Sequence, residues 1–203
     1  MSKAFLDKFS HYRQQIDTLR NQNKAYDDAK TFADDIKAAK QALKDAEDTI
    51  LRNIESMINS QMTRYNDFVY NQTRKAPEIN LFDGTRYEFT TPDDTGTGTS
   101  YKSLIVFDLS ILKLTQLPTL IHDSLIFNDI GYAPLEKIME LYTQSSKQIF
   151  IAFDKKEAPT KAIQKILDSA SILHLSSDGN ELFGENWGRK KKDEEEDSAA
   201  PTK

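Results

Sequence analysis

Residues 95–130 read TGTGTSYKSLIVFDLSILKLTQLPTLIHDSLIFNDI, and their reading decides the fold. The stretch opens on a small turn, Thr95-Gly96-Thr97-Gly98-Thr99-Ser100. An apolar helix is expected over residues 101–117, and Pro118 separates it from a short apolar run ending at His122-Asp123-Ser124. Glycines let backbone N–H groups approach an anion without a Cβ in the way. A helix N-terminus adds N–H donors and a partial positive charge. Ser100 is the expected N-cap. Thr119-Leu120-Ile121-His122-Asp123 predicts a buried parallel strand, apolar on both faces. A carboxylate at the C-terminal end of such a strand stands where α/β sheets bind ligands.

Two readings stay open for this arrangement. Gly96, Gly98 and Ser100 form either a phosphate cradle or a flexible loop. Asp123 either holds Mg²⁺, directly or through water, or caps the helix that follows. Lys102 is either a phosphate partner or a solvated lysine. Asp129 either polarises a water across a dimer interface or, the preferred reading, caps a helix starting near Pro134. Asp93 and Asp94 precede the turn and would repel phosphate unless they point away.

Outward from this stretch, residues 4–70 contain neither Gly nor Pro, which favours one long helix or a helix pair. Phe5, Tyr12, Leu19 and Tyr26 recur every seventh position, with Phe9 and Ile16 on the second seam position. After a one-residue slip the pattern resumes at Ala29, Ile36, Leu43, Ile50 and Met57, with Phe32, Ala39 and Ala46 between them. That is a coiled-coil seam over residues 5–55, with Asn23 and Asn53 as register devices. A helix of about 65 residues spans roughly 100 Å. Its polar face mixes acids and lysines, unlike a membrane-surface helix.

Ile79-Asn80-Leu81-Phe82, Asp83-Gly84 and Tyr87-Glu88-Phe89 predict a β-hairpin. Beyond Asp123, residues 124–132 read as a loop and residues 134–145 as an amphipathic helix with Pro134 near its start. Residues 148–153 read as a second apolar strand. Strand, helix and strand make a parallel βαβ unit. A further helix is expected over residues 158–169 and an edge strand over residues 172–175. Phe183 and Trp187 would anchor the last turn, and residues 188–203 form a charge-block tail expected to be disordered. The domain plan is therefore a coiled-coil region 1–70, an α/β lobe 71–187 and the tail.

Composition narrows the function classes. The formal net charge of −5 does not demand nucleic acid as a partner, although local basic patches remain compatible with one. With no cysteine there is neither a disulfide framework nor a thiolate metal site. His11, His122 and His174 lie far apart and make no zinc spacing. No apolar run approaches the roughly 18 residues of a membrane helix. A soluble, cytoplasmic protein without a membrane partner is expected.

The residues GTGTSYKSLIVFDLSILKL and LPTLIHDSLIFNDI resemble the C-terminal ATPase lobe of the YydD-like family. That family is a branch of the SMC/RecN-type ABC ATPases found in bacterial ABC-three-component systems. The resemblance covers residues 79–157. It implies the C-terminal half of an ATPase head, a parallel βαβ core with a hairpin, carried on a long coiled-coil helix. It sets Gly96–Ser100 at the signature loop and Leu120-Ile121-His122-Asp123-Ser124 at the Walker B strand. Phe127-Asn128-Asp129-Ile130 then falls at the D-loop, and residues 148–153 at the strand leading to the switch. It implies that Gly96, Gly98 and Ser100 meet nucleotide and that Asp123 holds Mg²⁺; Lys102, near the turn, is a further candidate for nucleotide binding, and Asp123 and Asp129 are the candidate catalytic residues.

This sequence departs from the pattern in three places. Ser124 stands where Glu follows the Walker B aspartate. Asp154-Lys155-Lys156 offers no switch histidine. The sequence has no GxxxxGK[ST], and it begins inside a helix as though only the second half of a head were present. ATP and Mg²⁺ are therefore expected only with a partner that brings a P-loop, either an N-terminal ATPase half or a homologous chain. A coiled-coil partner and DNA complete the expected partners, in genome maintenance or anti-phage defence. The other reading is a non-catalytic coiled-coil scaffold that keeps the lobe fold. A metal-dependent nuclease would need a cluster of carboxylates, and Asp123 and Asp129 are too few.

Overall fold

The computed structural model describes residues 2–93, 96–154, 160–176 and 180–182. Asp94, Thr95, residues 155–159, Phe183, Trp187 and the charged tail lie outside them.

One helix, α1 (Lys3–Tyr70), runs for 68 residues. With no Gly or Pro to interrupt it, the helix stops only where Asn71 and Gln72 turn left-handed, at φ 49° and 63°. Pro77 bars its resumption. Its first four dozen residues touch little else, and Phe5, Phe9, Tyr12, Ile16, Leu19, Tyr26, Phe32, Ile36, Leu43 and Ile50 stand exposed. Only the last turns bury a stripe, Ile58, Met62, Asn66 and Val69, at helical spacing.

That stripe packs on a small α/β body. Strands β1 (Glu78–Leu81) and β2 (Tyr87–Thr90) form the antiparallel hairpin, with Ile79 opposite Phe89. The hairpin is stitched to α1 by side chains acting as a strand. Asn59 Nδ2 donates to the Ile79 carbonyl at 2.9 Å, and Ile79 N–H donates back to Asn59 Oδ1 at 2.8 Å. Leu81 N–H donates to Glu55 Oε2 at 2.8 Å. The edge of β1 that faces α1 is thereby covered.

Helix α2 (Thr97–Leu114) follows. It begins four residues earlier than the apolar run suggests, because Gly96 rather than Ser100 caps it, and it ends three residues sooner. Lys147 Nζ donates to the carbonyls of Leu112 and Thr115 at 2.6 and 2.5 Å, which satisfies its C-terminal end. Then come β3 (Thr119–His122), a 3₁₀ turn (Ser124–Phe127), α3 (Tyr132–Thr143), β4 (Gln148–Ile151) and α4 (Lys161–Ala170). Strands β3 and β4 are parallel and joined through α3, the expected βαβ unit, with Ile121 beside Phe150 and His122 beside Ile151. The fold is thus helix-rich α/β, with a long N-terminal helix and two small sheets.

The main core lies between α2, α3, α4 and the inner face of β3–β4. It contains Ile105, Leu109, Phe127, Leu135, Ile138, Met139 and Ile163. A second core under the hairpin holds Ile58, Met62, Ile79 and Val106. Two expectations need correcting. Residues 172–175 form no strand, and His174 instead meets Ser171 Oγ at 3.1 Å from an exposed position. The β3–β4 sheet is apolar on both faces but covered on one. Leu120, Ile149 and Ile151 pack inward, while Ile121 and Phe150 on the other face are 71% and 43% exposed.

Candidate nucleotide site

The N-terminus of α2 meets the loop after β3 at one point. A Cβ on Gly98 would overlap the Asp129 carbonyl oxygen and lie 3.2 Å from its carbon. Only glycine lets the first turn of α2 come this close, so Gly98 and Asp129 are neighbours through backbone. Gly96 is the N-cap, with an extended backbone, and its carbonyl accepts from Ser100 N–H at 3.0 Å. Gly98 therefore lies within α2 and Gly96 at its cap. Ser100 sits inside the helix, exposed, with its hydroxyl on the Gly96 carbonyl at 3.3 Å.

Asp123 ends β3 and is exposed. Its Oδ1 accepts from Ser124 N–H at 2.8 Å and caps the 3₁₀ turn, while the Ser124 hydroxyl lies 3.4 Å from the same oxygen. The capping role weighed for Asp123 is thus present. Asp129, exposed in the following turn, caps nothing; Gly131 is the N-cap of α3. Phe127 pins the loop between them, buried edge-on to Tyr142 with ring centroids 6.3 Å apart.

Lys102 is not solvated. It is 1% exposed, its Nζ is 3.2 Å from Asn66 Oδ1 and it lies 5.2 Å from the centre of the Tyr70 ring. Burial of its long stem is favourable, and the ammonium is met by an amide oxygen and an aromatic face. Asn66 also donates to the Arg74 carbonyl at 2.8 Å, so the end of α1 and the second turn of α2 share one polar joint. Asp93 adopts a left-handed conformation and is ion-paired with Lys75. That pairing offsets the charge that would repel a phosphate.

Sequence reasoning passed over a buried cluster beside Asp123. His122 is 5% exposed, and its Nδ1 is 2.6 Å from the Tyr142 hydroxyl and its Nε2 3.1 Å from Asp108 Oδ2. Burial, with the Asp108 charge adding to it, pushes the Tyr142 phenol far above its ordinary range. The signal was available: strand alternation from Leu120 puts His122 inward, and Asp108 is the lone acid of an apolar helix.

Among the described residues, no three His, Cys, Asp or Glu side chains gather as a metal site would require. None of their helices is long and apolar enough to cross a membrane. An open hollow of about 500 Å³, lined by Arg64, Tyr65, Phe68, Leu112 and Lys113 among others, lies toward the opposite end of α2.

A family model described as "Uncharacterised protein conserved in bacteria (DUF2326)" matches residues 65–187. A solved structure described as "Structural biochemistry of ATP-driven dimerization and DNA stimulated activation of SMC ATPases" is similar, with a TM-score of 0.46 and 13% identity. The similarity covers 64% of this chain and 82% of that one. No curated protein matches the sequence.

Proposed function

The chain belongs to the DUF2326 family of bacterial proteins, and from that premise we propose that it is one half of a composite SMC/RecN-like ATPase head of the YydD-like branch. The observation that carries this reading is the bare sheet face. Parallel sheets are stable when both faces are covered, and two strands alone make a marginal sheet. Here Ile121 and Phe150 stand exposed on a two-stranded parallel sheet. A second ATPase half bearing the P-loop, or a homologous chain, is the partner that would extend and cover it.

In this reading the α2 N-terminus, with Gly96, Gly98 and Ser100, faces the γ-phosphate of a nucleotide held by the partner P-loop. Helix N-termini attract anions through their N–H groups and dipole. Asp123 would help hold Mg²⁺; one exposed carboxylate fits an ion that draws most of its ligands from phosphate and water. Such an ion neutralises charge on the phosphates when bound. Asp129, against Gly98, would lie at the interface between heads. Lys102 joins α2 to α1 and contributes through that joint rather than by touching phosphate. The exposed seam of α1 would take a coiled-coil partner, DNA would be the target, and genome maintenance or anti-phage defence the setting.

A second reading keeps the fold without turnover, as a coiled-coil scaffold. Ser124 favours it, since a hydroxyl and its own N–H face Asp123 where a glutamate would stand.

Co-expression with a polypeptide carrying GxxxxGK[ST] and a heptad region tests the proposal. A stable complex is expected, and Phe150→Asp should abolish it while leaving the fold of this chain intact. Failure to assemble with any such partner would leave the scaffold reading in place.

A further inference from the structure

Three elements converge on His122. Its ring is tied to α2 through Asp108 and to α3 through Tyr142. Its backbone carbonyl accepts from Ala152 N–H at 3.0 Å, just beyond β4. A carboxylate only accepts hydrogen bonds, so the proton on Nε2 points at Asp108. The Tyr142 hydroxyl meets the ring's other nitrogen, Nδ1. The three side chains thus form one connected chain, Tyr142 to His122 to Asp108, across three elements. The next residue is Asp123, whose backbone begins where the His122 carbonyl is held. Asp108 lies on the helix whose first turn carries Gly96, Gly98 and Ser100.

We infer that His122 is a positioning residue, which through Asp108 and Tyr142 fixes the Asp123 carboxylate relative to the N-terminal turn of α2. The inference rests on the composite-head reading, because that reading gives the relative placement its purpose. An apolar residue at position 122 would fill the same core, but it would let β3 slide against α2. The hydrogen-bonded ring sets distance and orientation together, as outer partners do for ligating side chains.

The test uses the full chain with ¹⁵N labelling. The Ser124 amide donates to Asp123 Oδ1 and therefore reports where that carboxylate stands. Asp108 is the safer place to cut than His122, since its side chain is 27% exposed. In Asp108→Ala and in Tyr142→Phe the Ser124 signal is expected to move, and Asp108→Asn, which keeps an acceptor, is expected to return it toward its original place. Mg²⁺–ATP titrated into the chain with its P-loop partner should bind roughly tenfold more weakly in Asp108→Ala, as loss of an outer partner typically gives. A Ser124 signal that stays in place in both variants, whatever happens to the melting temperature, would reduce the cluster to core packing and overturn the inference. Should the unaltered pair bind no Mg²⁺–ATP, the composite-head reading falls, and the Ser124 signal still decides whether His122 positions Asp123.

Discussion

Gly98 shows how one hydrogen atom controls the approach of two segments. Its missing Cβ admits the Asp129 carbonyl, so Gly98→Ala must push the loop off α2. We expect a loss of about 1–3 kcal/mol, the usual cost of overpacking, read from urea unfolding. Gly84→Ala is the control, because a Cβ there meets nothing within 4 Å; its change should be within about 0.5 kcal/mol. Equal effects at the two glycines would refute the close approach. Asp83 supplies a pH test at the hairpin. The Thr85 hydroxyl, then the Arg86 guanidinium and the Thr85 and Arg86 N–H groups, hold its carboxyl well below the usual range. A folded-state pKa below the unfolded one gives stability that is present above about pH 3.9 and lost as pH falls through the folded value. The melting temperature of the unaltered chain should therefore fall more steeply with acid than that of Asp83→Ala. Parallel curves would mean that the turn contributes no such linkage.

Among elements, α1 is the most exposed to test. Ten large apolar side chains along its outer portion lie in water on one seam, from Phe5 to Ile50. A helix this long is held by packing more than by propensity, and a seam of this period is made for another helix. Leu43→Asp should leave the lobe folded, since the site is remote from both cores, and should abolish association through α1. Sedimentation of the two proteins reads the result directly; an unchanged mass for both, at concentrations well above micromolar, would argue against a coiled-coil partner of the same chain. The heptad pattern made this helix legible from sequence, as alternation and the Asp83-Gly84 pair did the hairpin. The ends of α2 were not, because Gly96 takes the cap and Ser100, the better capping residue by type, falls within the helix. The burial of Lys102 was hidden for a related reason: sequence shows a lysine near a turn, but only the crossing of α2 over the end of α1 shows that Asn66 and Tyr70 receive it.

For the whole molecule, the βαβ order could be read from the alternation of apolar runs, yet the bare face of the sheet could not. Sequence marks Ile121 and Phe150 as apolar; coverage is a property of the assembled layers. The His122 cluster escaped for the same reason, its three members being brought together from α2, β3 and α3. In the proposed reading a partner completes the site, with Gly98 against Asp129 and Asp123 after the strand end. Calorimetric titration of Mg²⁺–ATP into the chain alone, and into the chain with its P-loop partner, tests that completion most directly. We expect binding only in the mixture, and its loss in Asp123→Ala with the complex still assembled. Binding in the mixture that is unchanged by Asp123→Ala, or no binding in an assembled complex, would contradict a composite nucleotide site.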